Sequence, residues 1–218
     1  MTYKSISAYF LIIPALVLTF SSCKDNTTSA PIDDSLDPIH ELTFIPGSEN
    51  TTITVNRSSE TYFSVEFKNI GSNNIMGDKT SEGWCIDWLK PIDSNGGVYN
   101  NIKLYSTFNV EQWNPLNYLL NIKEELKADD PGITQLEIQV AVWSLRGFPE
   151  FDLNKINIQD LPGRMQNDGQ LTFDADKVNQ ILQIVENGHK DFSFTPGTKF
   201  AVIAELPADV QTIITVVQ

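Results

Sequence analysis

The chain has 218 residues and a formal charge of −13, from 28 acidic and 15 basic residues. A polyanion of this kind is repelled by nucleic-acid phosphates and by anionic lipid surfaces, so direct binding to either is excluded. A hydrophobic share of 41% with 10% aromatics is enough for a core and argues against wholesale disorder.

In chain order, Lys4 supplies a positive charge ahead of an apolar run from Ala8 to Phe20, and Ser21 and Ser22 stand just before Cys23. The run falls short of the roughly 20 residues that a membrane-spanning helix needs, so residues 1–22 read as a signal peptide. Small-small-Cys at its end resembles a lipobox, with Phe20 where Leu is commonest, as in relaxed lipoboxes of Bacteroidota. That resemblance implies lipidation of Cys23, and Lys24-Asp25 is similar to a signal for surface display. The expectation is an exported lipoprotein, anchored by lipid in the outer membrane of a Gram-negative bacterium, with no other membrane contact. Residues 23–40 are polar, Pro-containing and aperiodic, as a tether would be.

Folded patterning starts at residue 41 and is expected to run to 218. Leu42 to Ile45, Thr51 to Val55 and Tyr62 to Phe67 read as strands, the last placing Phe63, Val65 and Phe67 on one face. Gly71 to Gly83 reads as a polar loop, and Asp93-Ser94-Asn95-Gly96-Gly97 as a turn. Helical signals occupy about 110–190. Asn114 stands as a cap before Pro115, and Asp129-Asp130-Pro131-Gly132 makes a turn. Thr134 and Glu137 form a capping box for a helix to about Arg146, stopped by Gly147. A third helix spans Ala175 to Asn187, capped by Asp174 and ended by Gly188, with Val178, Ile181, Leu182 and Val185 as its buried stripe. Lys199 to Leu206 and Val210 to Val217 close the chain as strands. The class expected is α+β: a β-sandwich or barrel with an inserted or packed helical subdomain.

The chain has two cysteines. With Cys23 lipidated, Cys85 has no disulfide partner, which is notable in an oxidising compartment. It sits in Gly83-Trp84-Cys85-Ile86-Asp87-Trp88, an apolar setting that predicts shelter from solvent. Further on, Glu137-Ile138-Gln139-Val140-Ala141-Val142-Trp143 puts Gln139 and Trp143 on one face, whether helix or strand. An inward-pointing primary amide is costly unless its hydrogen-bonding groups are met.

These two blocks, Cys85 in Trp-Cys-Ile-Asp and Gln139 in Ile-Gln-Val-Ala-Val-Trp, resemble the signature segments of bacterial thioester domains, also called TQXA domains. Such domains occur in surface adhesins of Gram-positive bacteria and in other exported proteins. Trp113 to Asn121 resembles the helix that precedes their Gln block, and the likeness covers about residues 60–146. Two departures stand out: Ile138 replaces the Thr of the family name, and the anchor is an N-terminal lipid. The resemblance implies a Cys85–Gln139 thioester, with Trp84, Asp87, Trp88 and Trp143 as supporting residues and the aromatics shielding the bond. It also implies covalent attachment to an amine-bearing surface protein or other ligand. The reaction turns over once, so the chain is not an enzyme in the ordinary sense, and no cofactor is called for. The alternative is a structural or ligand-binding lipoprotein of the same fold, in which the amide is plain core or the bond only a cross-link.

Other candidates are weaker. His40 and His189 lack metal-ligand spacing. Asp33, Asp34, Asp37, Asp129 and Asp130 form no calcium-loop pattern. No Gly-x-Ser-x-Gly segment points to a hydrolase.

Overall fold

The computed structural model describes residues 41–218. The signal peptide, Cys23, the tether, His40 and the acidic cluster at Asp33, Asp34 and Asp37 lie outside the described residues. Nine strands are present: β1 (Thr43–Phe44), β2 (Thr51–Arg57), β3 (Phe63–Lys68), β4 (Lys79–Cys85), β5 (Asn95–Ser106), β6 (Gln166–Asn167), β7 (Gln170–Leu171), β8 (Phe200–Glu205) and β9 (Ile213–Val217). Three α-helices fall between β5 and β8: α1 (Asn114–Asp129), α2 (Gln135–Arg146) and α3 (Ala175–Gly188).

Antiparallel pairing runs β5-β2-β3-β4-β9-β8, and a further β8–β5 pairing closes the ring. The result is a six-stranded barrel, with β1 added at the far end of β5 and β6–β7 forming a separate small hairpin. Closure leaves the ring without a free edge. Strands β2 and β3 bury alternate residues, as the sequence pattern predicts, whereas β8 and β9 are buried on both faces. The reason is layering: α1 packs on β8, α2 packs against the end of β4, and α3 packs on α1 and α2. The chain is therefore α+β, a barrel carrying packed helices.

Two segments differ from expectation. The loop predicted over Gly71–Gly83 ends early, because Lys79–Cys85 is strand β4. Its polar residues face outward, and Gly83 is a packing residue: a Cβ there would stand 2.5 Å from Val65 Cγ2 and 3.2 Å from Phe63 Cβ. Strand β5 carries no clean alternation in sequence, since it is bulged against β2 and Asn101 takes a left-handed φ of 58°. The turn foreseen over Asp93–Gly97 runs directly into it, with Gly96 at φ 89°.

The helix boundaries show the same contrast. Asn114 is the first residue of α1, not its cap; a short 3₁₀ turn, Glu111–Trp113, delivers the chain, and Trp113 holds the cap position without a side-chain bond. The Thr134–Glu137 capping box forms on both sides. Gly147 ends α2 with an extended φ of −63°, not by a left-handed cap. Helix α3 ends at Gly188 as expected, but in right-handed conformation, and the chain continues into a 3₁₀ turn, His189–Asp191. Glycine stands there because a Cβ would meet the Tyr118 hydroxyl at 2.2 Å. Along α3, Val178, Ile181 and Val185 are buried, and Leu182 is partly so.

Candidate functional site

The position of Cys85 follows from where β3 stops. The β3–β4 ladder ends at Phe63 opposite Gly83, so the next partner of Cys85 on that side would be Thr61. Thr61 lies in the bend before β3 and does not pair. The N–H and C=O of Cys85 that face β3 are thus left without a strand partner, and a buried backbone group in that state is costly.

Gln139 supplies the missing partner. Helix α2 buries every residue from Glu137 to Trp143, so it is covered all round by the barrel and the other helices. From its barrel side the Gln139 carboxamide meets Cys85 at both edges. Oε1 accepts from the Cys85 N–H at 2.9 Å, and Nε2 donates to the Cys85 carbonyl at 2.8 Å. Both residues are fully buried, although 54 positions separate them. The side chain of a helix residue thereby continues the sheet ladder.

The segment after Cys85 is tied to the chain that leaves α2. Ile86 accepts from the Phe148 N–H at 3.1 Å, Asp87 bridges Phe148 in parallel, and the Trp88 indole donates to the Pro149 carbonyl at 2.8 Å. On the opposite side, the Ile86 N–H donates to Thr212, and the Asp87 carboxylate accepts from the Thr212 N–H with Lys90 at 3.8 Å. The buried Asp87 side chain therefore secures the segment. Trp84 occupies the other face of β4 by strand alternation. Its indole donates to Glu82 at 3.1 Å, and Glu82 pairs at 3.0 Å with Lys123 of α1, which fixes the outer side of the strand.

Aromatic rings close the pocket. Trp143, one turn from Gln139, is fully buried and packs edge-on to Tyr62 at 6.1 Å and tilted on Phe151 at 5.5 Å. Its indole N–H meets no nitrogen or oxygen acceptor; it lies close enough to the Cys85 sulfur to favour the thiolate. Trp88, half-buried, packs edge-on to Phe151 at 5.4 Å. The Arg164 guanidinium stacks 4.1 Å from the Tyr62 ring and donates to the Tyr62 carbonyl at 2.6 Å. Tyr62 and Arg164 carry no local signal in the sequence, because their contact spans 102 positions between two irregular segments.

The electrostatics set the state of the thiol. Burial pushes the Cys85 thiol well above its ordinary value and Asp87 adds to this, while the Trp143 indole and Arg164 oppose it. Cys85 is accordingly a protonated thiol at neutral pH. The amide it faces is held with its carbonyl oxygen on an N–H donor, where negative charge would build up on attack. Its NH₂ is aligned on a carbonyl. Among the described residues, no group of three or more His, Cys, Asp or Glu side chains converges to hold a metal ion.

Two solved structures are similar to this chain. The N-terminal thioester domain of the fibronectin-binding protein SfbI from Streptococcus pyogenes aligns at 15% identity and TM-score 0.45, covering 78% of this chain and 93% of that one. The N-terminal thioester domain of a surface protein from Clostridium perfringens aligns at 10% identity and TM-score 0.44, covering 76% and 97%. No protein-family model and no curated protein matches the sequence. At such identities and TM-scores, the chemistry of the pair has to be read from its own geometry.

Proposed function

We propose that Cys85 and Gln139 condense to an intramolecular thioester, and that the chain uses it to attach covalently to an amine-bearing partner at the cell surface. The observation that carries this reading is the two-edged hydrogen bonding of the Gln139 carboxamide to the backbone of Cys85, the residue whose side chain is a thiol. Proximity of this kind replaces an encounter in solution. The Cys85 sulfur attacks the Gln139 side-chain carbonyl, the Cys85 N–H stabilises the oxyanion, and the C–N bond breaks. The thiol proton leaves with the nitrogen as ammonia, so the step balances without an external acid or base. An amine then attacks the thioester carbonyl, the C–S bond breaks, and the amine's proton returns to sulfur. The product is an amide to the partner and a free Cys85 thiol. The reaction occurs once per molecule.

Display at the surface rests on the leader and Cys23, read from sequence. Export followed by lipid attachment would set the barrel outside the cytoplasm, where covalent capture of a partner has a use.

Intact mass is the direct test. A thioester lowers the mass by one ammonia, about 17 Da, Cys85→Ala abolishes the deficit, and methylamine adds its own mass, about 31 Da, to the thioester form. Full mass together with a titratable Cys85 thiol overturns the reading. One observation favours a second reading, in which the amide is only a clamp: Asn121 of α1 holds the backbone of Lys199 in the same two-edged way, at 2.9 and 2.8 Å, with no thiol involved.

A further inference from the structure

Between the segment that follows β4 and the loop before β6 lies a cavity of about 550 Å³, lined by Tyr62, Trp88 and Arg164 among others. Of these, Tyr62 and Arg164 stand near Cys85. A second cavity, of about 390 Å³, counts the fully buried Trp143 among its lining residues. Arg164, which is only partly buried, thus stands between the first cavity and the surroundings of Cys85.

The charge of this cavity opposes that of the chain. Arg57, Lys90 and Arg164 line it against a single carboxylate, Asp160, on a molecule of net charge −13. Arg57 and Arg164 are two of the chain's three arginines. Neither has a carboxylate within ion-pair distance among the described residues, and Lys90 has only the buried Asp87 at 3.8 Å. Arg57 gives one donor to Ser94 and Arg164 one to the Tyr62 carbonyl, and a guanidinium without an internal carboxylate keeps donors suited to bind one from a partner. A bare ammonium would be repelled here, and one that enters is pushed toward its neutral, nucleophilic form by the neighbouring cations.

We propose that this cavity selects the surroundings of the amine: the chain acylates a lysine set in an acidic peptide segment, whose carboxylates dock on Arg57, Lys90 and Arg164. The lysine stem passes between Tyr62 and Trp88, and its amine nitrogen attacks the thioester carbonyl of residue 139. The C–S bond breaks, the amide to lysine forms, and the proton lost from nitrogen ends on the Cys85 sulfur. The proposal rests on the thioester reading and adds to it the class of partner. It also accounts for how so acidic a molecule engages an acidic target, since this cavity carries the opposite sign.

The test uses the chain after its mass deficit has been verified, with methylamine as the reference amine. Three acetylated peptides of equal length carry one lysine flanked by Glu, by Gln or by Arg, and adducts are counted by mass over time. The Glu-flanked peptide is expected to react about tenfold faster than the Arg-flanked one at low salt, the factor that two exposed charge pairs supply, with the ratio shrinking at high salt. Arg57→Gln and Lys90→Gln, each normalised to its own methylamine rate, are expected to lower that ratio. Equal rates for the three peptides alongside a brisk methylamine reaction would overturn the acidic-segment proposal and leave the thioester standing. Absence of both the mass deficit and any methylamine adduct would overturn the two together.

Discussion

Two amides in this molecule do the same structural job with different neighbours. Asn121 of α1 and Gln139 of α2 each reach from a helix to the barrel and grip one residue's backbone at both N–H and C=O. At the Asn121 clamp the backbone belongs to Lys199, partly exposed, just before β8. At the Gln139 clamp it belongs to Cys85, fully buried, at the end of β4. A third amide, Asn117, accepts from Ala201 N–H and from the Thr107 hydroxyl, which is also fully buried. An amide fastened to a strand is therefore a device this fold repeats. The device becomes an electrophile only where the adjacent side chain is a nucleophile, and a thiol is far better suited than the hydroxyl of Thr107.

The strongest way to break this comparison is to remove the thiol at one clamp and the amide at the other. Cys85→Ala should abolish the mass deficit and lower stability by about 4 kcal/mol, by analogy with opening a cross-linked loop of this length. Denaturant unfolding monitored by Trp fluorescence measures it. Asn121→Ala should cost roughly 1–3 kcal/mol, from backbone groups left without partners, and leave the mass deficit in place. A Cys85→Ala loss no larger than that of a buried thiol's packing, with no mass deficit in the parent, would mean that both amides are clamps and nothing more.

Titration sharpens the contrast further. In Gln139→Ala, Cys85 is a free buried thiol whose folded-state value is raised, first by burial. A raised value stabilises the fold fully below the ordinary thiol range, and the contribution is lost as pH climbs above it. Stability of Gln139→Ala should fall by up to about 1.4 kcal/mol per pH unit more steeply above about pH 9 than that of the thioester form, which has no thiol proton to lose. Parallel pH profiles would show that the thiol is free in both.

The smallest expected effect concerns the start of α2. Glu137, nearly buried, accepts from the Thr134 N–H and hydroxyl and from the Asp174 N–H that begins α3. Glu137→Ala should destabilise by about 1–2 kcal/mol. It should slow thioester formation modestly, read as the fraction carrying the mass deficit after purification, because α2 is what aims Gln139. A full deficit in this variant would show that the rest of the helix contacts suffice.

Much of the site was legible because its signals are local. The Thr134–Glu137 box and the buried run Glu137–Trp143 each follow from a few adjacent residues, and the structure forms both, whereas Trp84, expected to shield Cys85, faces away on the other side of β4. Strand β4 and strand β5 were illegible for the opposite reason. In β4 the polar residues of an outward face mimic a loop, and Gly83 is demanded by Val65 and Phe63 across the ladder. In β5 a bulge erases the alternation that would have marked it. Gly188 ends α3 where expected, but for a tertiary reason, its small size answering to Tyr118.

By itself the sequence determined the class of the fold, the frames of the helices and the two chemically notable residues, since periodicity, caps and residue type are properties of short stretches. That Cys85 and Gln139 meet was decided by tertiary structure alone. Strand β3 stops at Phe63, which leaves one backbone edge of Cys85 open, and the α2 carboxamide is the group that the fold carries there. The cationic cavity beside them is likewise a tertiary product, assembled from Arg57, Lys90 and Arg164 on three separated segments. Contacts over such separations repay their loop-closure entropy only when the whole barrel closes, so no stretch of sequence announces them.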